Sequence, residues 1–178
     1  TMNSMFAAAE AFNNGEVGNT GSAPLNLNTG LVTSFDYMFY YAEKFNQQLV
    51  FSDTSSVSSF EAMFTAALIF NNGGGVHPLA WDTSAATSFA GMFSAAETFN
   101  QRLEFSDTSK VQNMTSMFLV ALAFNNGDTT NMSSKALVWT TSTLRNTTSM
   151  FANCAAFNQA LTFSDMSHVG DMGSMLQN

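Results

Sequence analysis

The chain has little of what most functional signatures need. Its 178 residues include one cysteine, two prolines and two histidines, and five lysines and arginines stand against 13 aspartates and glutamates. The single cysteine, Cys154, can close no internal disulfide, so cysteine usage gives no sign of an oxidising compartment. A net charge of −8 argues against nucleic acid or an anionic membrane as partner, because both are held by clustered basic side chains. No apolar run approaches the roughly 18 residues of a membrane-crossing helix, so this segment is not expected to insert. His77 and His168 stand in unrelated contexts, with no cysteine, histidine or carboxylate at ligand spacing. No serine or cysteine is placed to pair with either as a nucleophile. The glycine-rich stretch "NNGGGVHP" lacks the Lys-Ser/Thr of a phosphate loop. Neither catalytic residues nor a cofactor or metal is expected, and the chain does not read as an enzyme.

What is abundant is phenylalanine, at 18 residues, and methionine, at 12, against a charged fraction of 10%. That balance favours a packed core over disorder. These residues recur. Met-Phe falls at 5–6, 38–39, 63–64, 92–93, 117–118 and 150–151, and Met175-Leu176 closes the series, giving intervals of 33, 25, 29, 25, 33 and 25 residues. Short and long units alternate. Phe-Asn always begins seven residues after the methionine (Phe12, Phe45, Phe70, Phe99, Phe124, Phe157), and a turn residue lies ten before the next one (Asn28, Asp53, Asp82, Asp107, Thr140, Asp165). All length variation falls between these two marks. The chain therefore reads as a single repeat array over 1–178, with units beginning near Met5, Met38, Met63, Met92, Met117, Met150 and Met175.

Within a unit, Phe60, Met63, Phe64, Ala67 and Phe70 sit at i, i+3, i+4, i+7 and i+10, which predicts a helix of about three turns with one apolar face. The segment before it, such as "LVFSDTSSV", predicts a short strand and a turn. Such a unit cannot bury its stripe alone, so the expected fold is an α/β solenoid of about six strand-turn-helix coils. An alanine column (Ala9, Ala42, Ala67, Ala96, Ala121) would let helices approach closely, and Cys154, which continues it, reads as a small buried residue. Neither end carries a polar cap, so the array reads as a segment of a longer solenoid or as one that stacks end to end.

The pattern Met-Phe…Ala-x-x-Phe-Asn-Gln…Trp-Asp-Thr-Ser, carried best by "WDTSAATSFAGMFSAAETFNQRL" at residues 81 to 103, resembles the BspA-like leucine-rich-repeat surface proteins, nearest the mycoplasma-lipoprotein branch. The resemblance covers nearly the whole chain. It implies a leucine-rich-repeat-like stack on a cell surface, in adhesion or a surface layer, with no shared catalytic residues. The short units depart from the pattern by reading Phe-Ser-Asp where Trp-Asp is usual, which leaves their strand register open.

Three surface features are candidates for function. The Asp column could ladder calcium, but Asp-Thr-Ser more simply forms side-chain-to-backbone turns. The adjoining threonines (Thr29, Thr54, Thr83, Thr108, Thr141) would suit an ice or lattice surface if they faced outward, though only one regular Thr occurs per unit. The long loops, 13 to 26, 71 to 79 and 125 to 138, would line one edge and form a partner-contact row through Asn14, Val17, Asn19, Asn72, Val76, His77, Asp128, Asn131 and Lys135. Asn113, Asn131 and Asn146 open Asn-x-Ser/Thr sequons, candidates for N-glycosylation. The expected function is a non-enzymatic extracellular structural or adhesive repeat module that self-associates or contacts other surface or matrix proteins. The alternative is a glycan- or protein-binding module that uses the loop edge.

Overall fold

A computed structural model describes residues 1–18, 20–130 and 135–178. The expectation of an α/β solenoid of strand-turn-helix coils is overturned. Among the described residues there is no helix. Regular strand is confined to β1 (Leu25–Leu27), β2 (Leu49–Phe51), β3 (Leu137–Trp139) and β4 (Leu161–Phe163). These form two small parallel sheets, β1 with β2 and β3 with β4, which do not close into a solenoid wall.

The segment expected to be helical follows a different hydrogen-bond rule. Met63, Thr65 and Ala67 donate three residues back, to Phe60, Ala62 and Phe64. The residues between them donate instead to the next unit: Phe60 to Ser88, Ala62 to Ala90, Phe64 to Met92 and Ala66 to Ser94. Every second N–H therefore leaves its own segment, which a helix cannot allow, since a helix returns every interior N–H to its own chain four residues back. The residues just before and three after the methionine take positive φ, as at Ala62 (50°) and Ala66 (56°), and this reverses the chain at each step. The 3–4 residue apolar spacing survives because successive tight turns bring the same side of the chain inward.

The units stack in parallel register through the bridges Ser34–Ser59–Ser88–Asn113–Asn146–Asp171. Two columns of phenylalanine run through the stack. Phe39, Phe64, Phe93 and Phe118 repeat at ring-centroid spacings of 5.4–5.6 Å, and Phe45, Phe70, Phe99 and Phe124 at 5.8 Å. Within a unit the two rings stack at about 4 Å, as for Phe93 and Phe99. Ala42, Ala67, Ala96 and Ala121 are fully buried between them, and Cys154 occupies their column at 1% exposure. The Cys154 thiol donates to the Ala121 carbonyl at 3.2 Å, and burial pushes it up to about 12. Cys154 is the small buried residue expected in this column, and the alanines serve close turns rather than the close helices expected.

The short units' register is now explicit. Leu137, Val138 and Trp139 pair with Leu161, Thr162 and Phe163, so Trp is matched to Phe and the following Ser is an extra residue. That serine is used: Ser52, Ser106 and Ser164 Oγ accept the backbone N–H of Thr29, Thr83 and Thr141 in the preceding long unit at 2.9–3.0 Å. Pairing in this layer joins each long unit to the following short one (β1 to β2, Leu79 to Leu103, β3 to β4). The structural repeat is a doublet.

Candidate recognition site on the loop edge

The loop edge is built from two side-chain columns that follow the second phenylalanine. The first is asparagine in every unit. Asn13, Asn46, Asn71, Asn100 and Asn125 each accept, through Oδ1, the backbone N–H of the equivalent asparagine one unit on, at 2.8–2.9 Å. Asn alone among small side chains supplies a neutral carbonyl at this reach together with a donor. The ladder runs where the chain leaves the apolar core and would otherwise strand its amides.

The second column alternates. Long units place Asn14, Asn72 and Asn126 there, at φ values of 50°, 47° and 50°, each followed by a glycine of positive φ. Asparagine and glycine are the residues that tolerate this conformation best. Asn72 Nδ2 donates to the His77 carbonyl at 2.8 Å and Asn126 Nδ2 to that of Lys135 at 2.7 Å, so each closes its own loop. Asn14 Nδ2 does the same to Ala23 at 2.9 Å. Their carbonyls face the previous unit: Asn72 Oδ1 accepts from Leu49 N–H and Asn126 Oδ1 from Leu103 N–H. Short units place Gln47, Gln101 and Gln159 in the same column, and Oε1 of each accepts the N–H of Ala23, His77 or Lys135, where the preceding loop returns. The Nε2 groups reach into the same loops, to the Glu16 carboxylate, the Gly75 carbonyl and the Asp128 carboxylate. Glu16 also gathers Thr20 and Gly21, and these donors hold its carboxyl down to about 2.

This geometry sorts the residues expected to contact a partner. Asn72 and Asp128 are buried, and Asn14, His77 and Lys135 have main-chain or side-chain groups in the clamps, so they shape the loops. Val17 and Val76 stand in solvent at 102% and 91% exposure and remain available for contact. Asn19 and Asn131 lie outside the described residues. The loops do not behave alike. Gly21 approaches Gly73 so closely that a Cβ on it would meet the Gly73 carbonyl, so the first loop leans on the second. Between the second and third lies an open pocket of about 340 Å³, floored by Gln101 and Arg102 and walled by Gly75, Val76, Thr129 and Lys135. Arg102 Nη1 pairs with Glu104 Oε1 at 3.3 Å at its rim. Two of the chain's five basic residues thus face one pocket. The sequence carries this clamp signal as the alternation of Asn and Gln after Phe-Asn.

The other candidates resolve structurally. Asp53, Asp82, Asp107 and Asp165 each accept, through Oδ1, the N–H two residues on at 2.8–2.9 Å, which are side-chain turns. Hydrogen bonds from Ser55, Ser84 and Ser167 lower the carboxyls of Asp53, Asp82 and Asp165. Among the described residues no three histidine, cysteine, aspartate or glutamate side chains converge as metal ligands would. The threonine column faces inward rather than outward, buried to 6% exposure or less. Thr29, Thr83, Thr108 and Thr141 Oγ1 donate to the turn carbonyl of the next unit at 2.5–2.9 Å. Asn113 and Asn146 sit in the bridging column, and their Oδ1 atoms accept both the N–H and the hydroxyl of Thr115 and Thr148. The sequon's threonine therefore serves the turn.

A family model described as "Mycoplasma protein of unknown function, DUF285" matches residues 1–80 and again 77–178. No curated protein and no solved structure matches the chain.

Proposed function

The chain belongs to the DUF285 family, and from that premise we propose that it is a non-enzymatic structural or adhesive repeat module displayed outside the cell. The observation that carries this reading is the repetition of the backbone ladder. Around the methionines each unit donates to the one after, as from Phe39 to Met63, Phe64 to Met92 and Phe93 to Met117. Elsewhere it donates to the one before, as from Ser58 to Thr33, Thr87 to Ser58 and Gln112 to Thr87, so units of the same register add at equivalent hydrogen bonds. An array of this kind serves as a rigid spacer whose length is set by repeat number. The resemblance of its Phe-Asn-Gln and Trp-Asp-Thr-Ser motifs to BspA-like surface repeats supports the same assignment. The low-charge surface, rich in Ser, Thr and Asn, agrees with an extracellular setting, among other surface or matrix proteins or further copies of the chain.

Display is tested by treating intact source cells with an external protease and blotting for the chain. Loss of the chain without cytoplasmic leakage is the expected result; full protection until the cells are lysed would overturn the proposal. The pocket between the second and third loops favours a second reading, in which the loop edge binds a partner. Val76→Asp would then abolish capture while leaving the melting temperature unchanged.

A further inference from the structure

All three tyrosines of the chain lie in one unit, at 37, 40 and 41. Two of them occupy the positions at which every unit takes positive φ, Tyr37 at 59° and Tyr41 at 55°. The other units fill these positions with Ser4, Ala62, Gly91, Ser116, Ser149 and Ser174 before the methionine, and Ala8, Ala66, Ala95, Val120 and Asn153 after it. Apart from Val120 these are small or polar. A bulky side chain is the least favoured occupant of left-handed backbone, and such outliers concentrate where function requires them. Local backbone preference was set aside here twice in five residues.

The rings do not repay this by entering the core, since Tyr37 and Tyr41 remain 40% and 43% exposed. Instead they pack on one another. Tyr37 meets Tyr40 at 5.6 Å and 71°, and Tyr40 meets Tyr41 at 4.6 Å and 60°. Neighbouring units carry Ser4 and Ala8 on one side and Ala62 and Ala66 on the other, so the rings stand as a ridge above small side chains. Tyr37 Oη donates to Glu61 Oε1 at 3.1 Å, and Asp36 Oδ1 lies beside it, accepting from Ser59 Oγ and Glu61 N–H.

We infer that Tyr37, Tyr40 and Tyr41 form a stacking platform for the pyranose ring of a neutral hexose or N-acetylhexosamine in a glycan. An aromatic face carries partial negative charge and attracts the polarised C–H face of a sugar, while phenol hydroxyls and a carboxylate at the rim meet its hydroxyls. The ring spacing chooses between occupants. The rings meet edge to face, at 71° and 60° with centroids 5.6 and 4.6 Å apart, so each fills the space in front of its neighbour and no open cage is left for a quaternary ammonium. Asp36 and Glu61 beside the platform disfavour sugars that carry a carboxylate. This inference is independent of the module reading, because it concerns one unit and does not require extension of the array.

The test uses the full chain and saturation-transfer NMR with N-acetylglucosamine trimer, cellotriose and maltotriose. Sialyllactose and choline serve as the charged alternatives. The expected result is transfer from tyrosine ring protons to at least one neutral trisaccharide. Tyr37→Ser with Tyr41→Ala, the residues other units use, should weaken that binding by about tenfold or more without lowering the melting temperature. A Glu61→Gln variant should retain stacking. The inference is overturned if no neutral sugar receives transfer, if the double variant binds as the parent does, or if choline or sialyllactose binds more tightly.

Discussion

The asparagine ladder can be tested at its centre. Asn100 Oδ1 accepts two backbone amides of the next unit, Asn125 N–H at 2.8 Å and Gly127 N–H at 2.9 Å, and its Nδ2 reaches the Asp128 carbonyl at 3.4 Å. Asn125 is 1% exposed, so its amide cannot turn to solvent when the acceptor is removed. Leaving a buried donor unsatisfied costs about 1–3 kcal/mol, and Gly127, half-buried beside the open pocket, adds a smaller share, which places Asn100→Ala roughly 2–4 kcal/mol below the parent. For a chain of this size that is a fall of roughly 5–15 °C in melting temperature. Asn100→Asp is the control, because it keeps an oxygen acceptor at the same reach while setting its second carboxylate oxygen against the Asp128 carbonyl. It should recover part of the difference. Hydrogen exchange gives the residue-level readout: in Asn100→Ala the amides of Asn125 and Gly127 should lose protection first, while that of Phe99, next to the substituted residue but bonded within its own unit, keeps its bond to Ala96. A variant melting within about 2 °C of the parent, or exchange that rises evenly across the stack, would refute the reasoning.

Ala96→Phe inserts a ring where the parent side chain is fully buried between neighbouring turns, and should cost about 1–3 kcal/mol or more in urea unfolding. Cys154 should stay unreactive to a thiol reagent at about pH 8 until the chain unfolds, since burial pushes its thiol up to about 12 and leaves little thiolate in the folded state. Asp53, Asp82 and Asp165 have carboxyls lowered by hydrogen bonds from the turns they make. Their contribution is present above the ordinary carboxylate range of about 4 and is lost as pH falls through the lowered folded values. Replacing all three with asparagine keeps the acceptor oxygen and should flatten the acid limb of melting temperature against pH.

Much of the organisation was legible in the sequence. Fixed spacings from the methionine located the phenylalanine columns, the alanine column with Cys154, and the doublet of short and long units. The helix was misread because apolar spacing of three and four residues records only which side faces inward. Alternating turns at Ala62 and Ala66 satisfy it as well as a helix does, and the difference lies in where Phe60, Phe64 and Ala66 send their N–H groups. A hint was available in the small or polar residues set four apart, such as Ser4 with Ala8 and Ser149 with Asn153, which left-handed backbone tolerates. The direction of the threonine column was not legible for a related reason. Hydroxyl polarity permits an outward face, yet Thr83 is buried with its hydroxyl on the next unit's Asp107 carbonyl. Asn72 and Asp128 were assigned to recognition because they lie in loops, and no composition argument separates a loop's contact residues from those that fold it.

The glutamine clamps carry a consequence for heredity. Each loop is closed by a side chain from the following unit: Ala23 by Gln47, His77 by Gln101, Lys135 by Gln159. A recombination that removed one short unit would set a long unit against another long one, with asparagine where glutamine must reach the returning strand. Removing one long unit would set two short units together, with a glutamine that has no loop to close. Removing or adding two leaves every clamp paired. Descendants of this gene should therefore differ by even numbers of repeats. Within a pair, the segment between the clamped ends can change length, as the second loop, shorter than the first and third, already does, without disturbing the frame on either side.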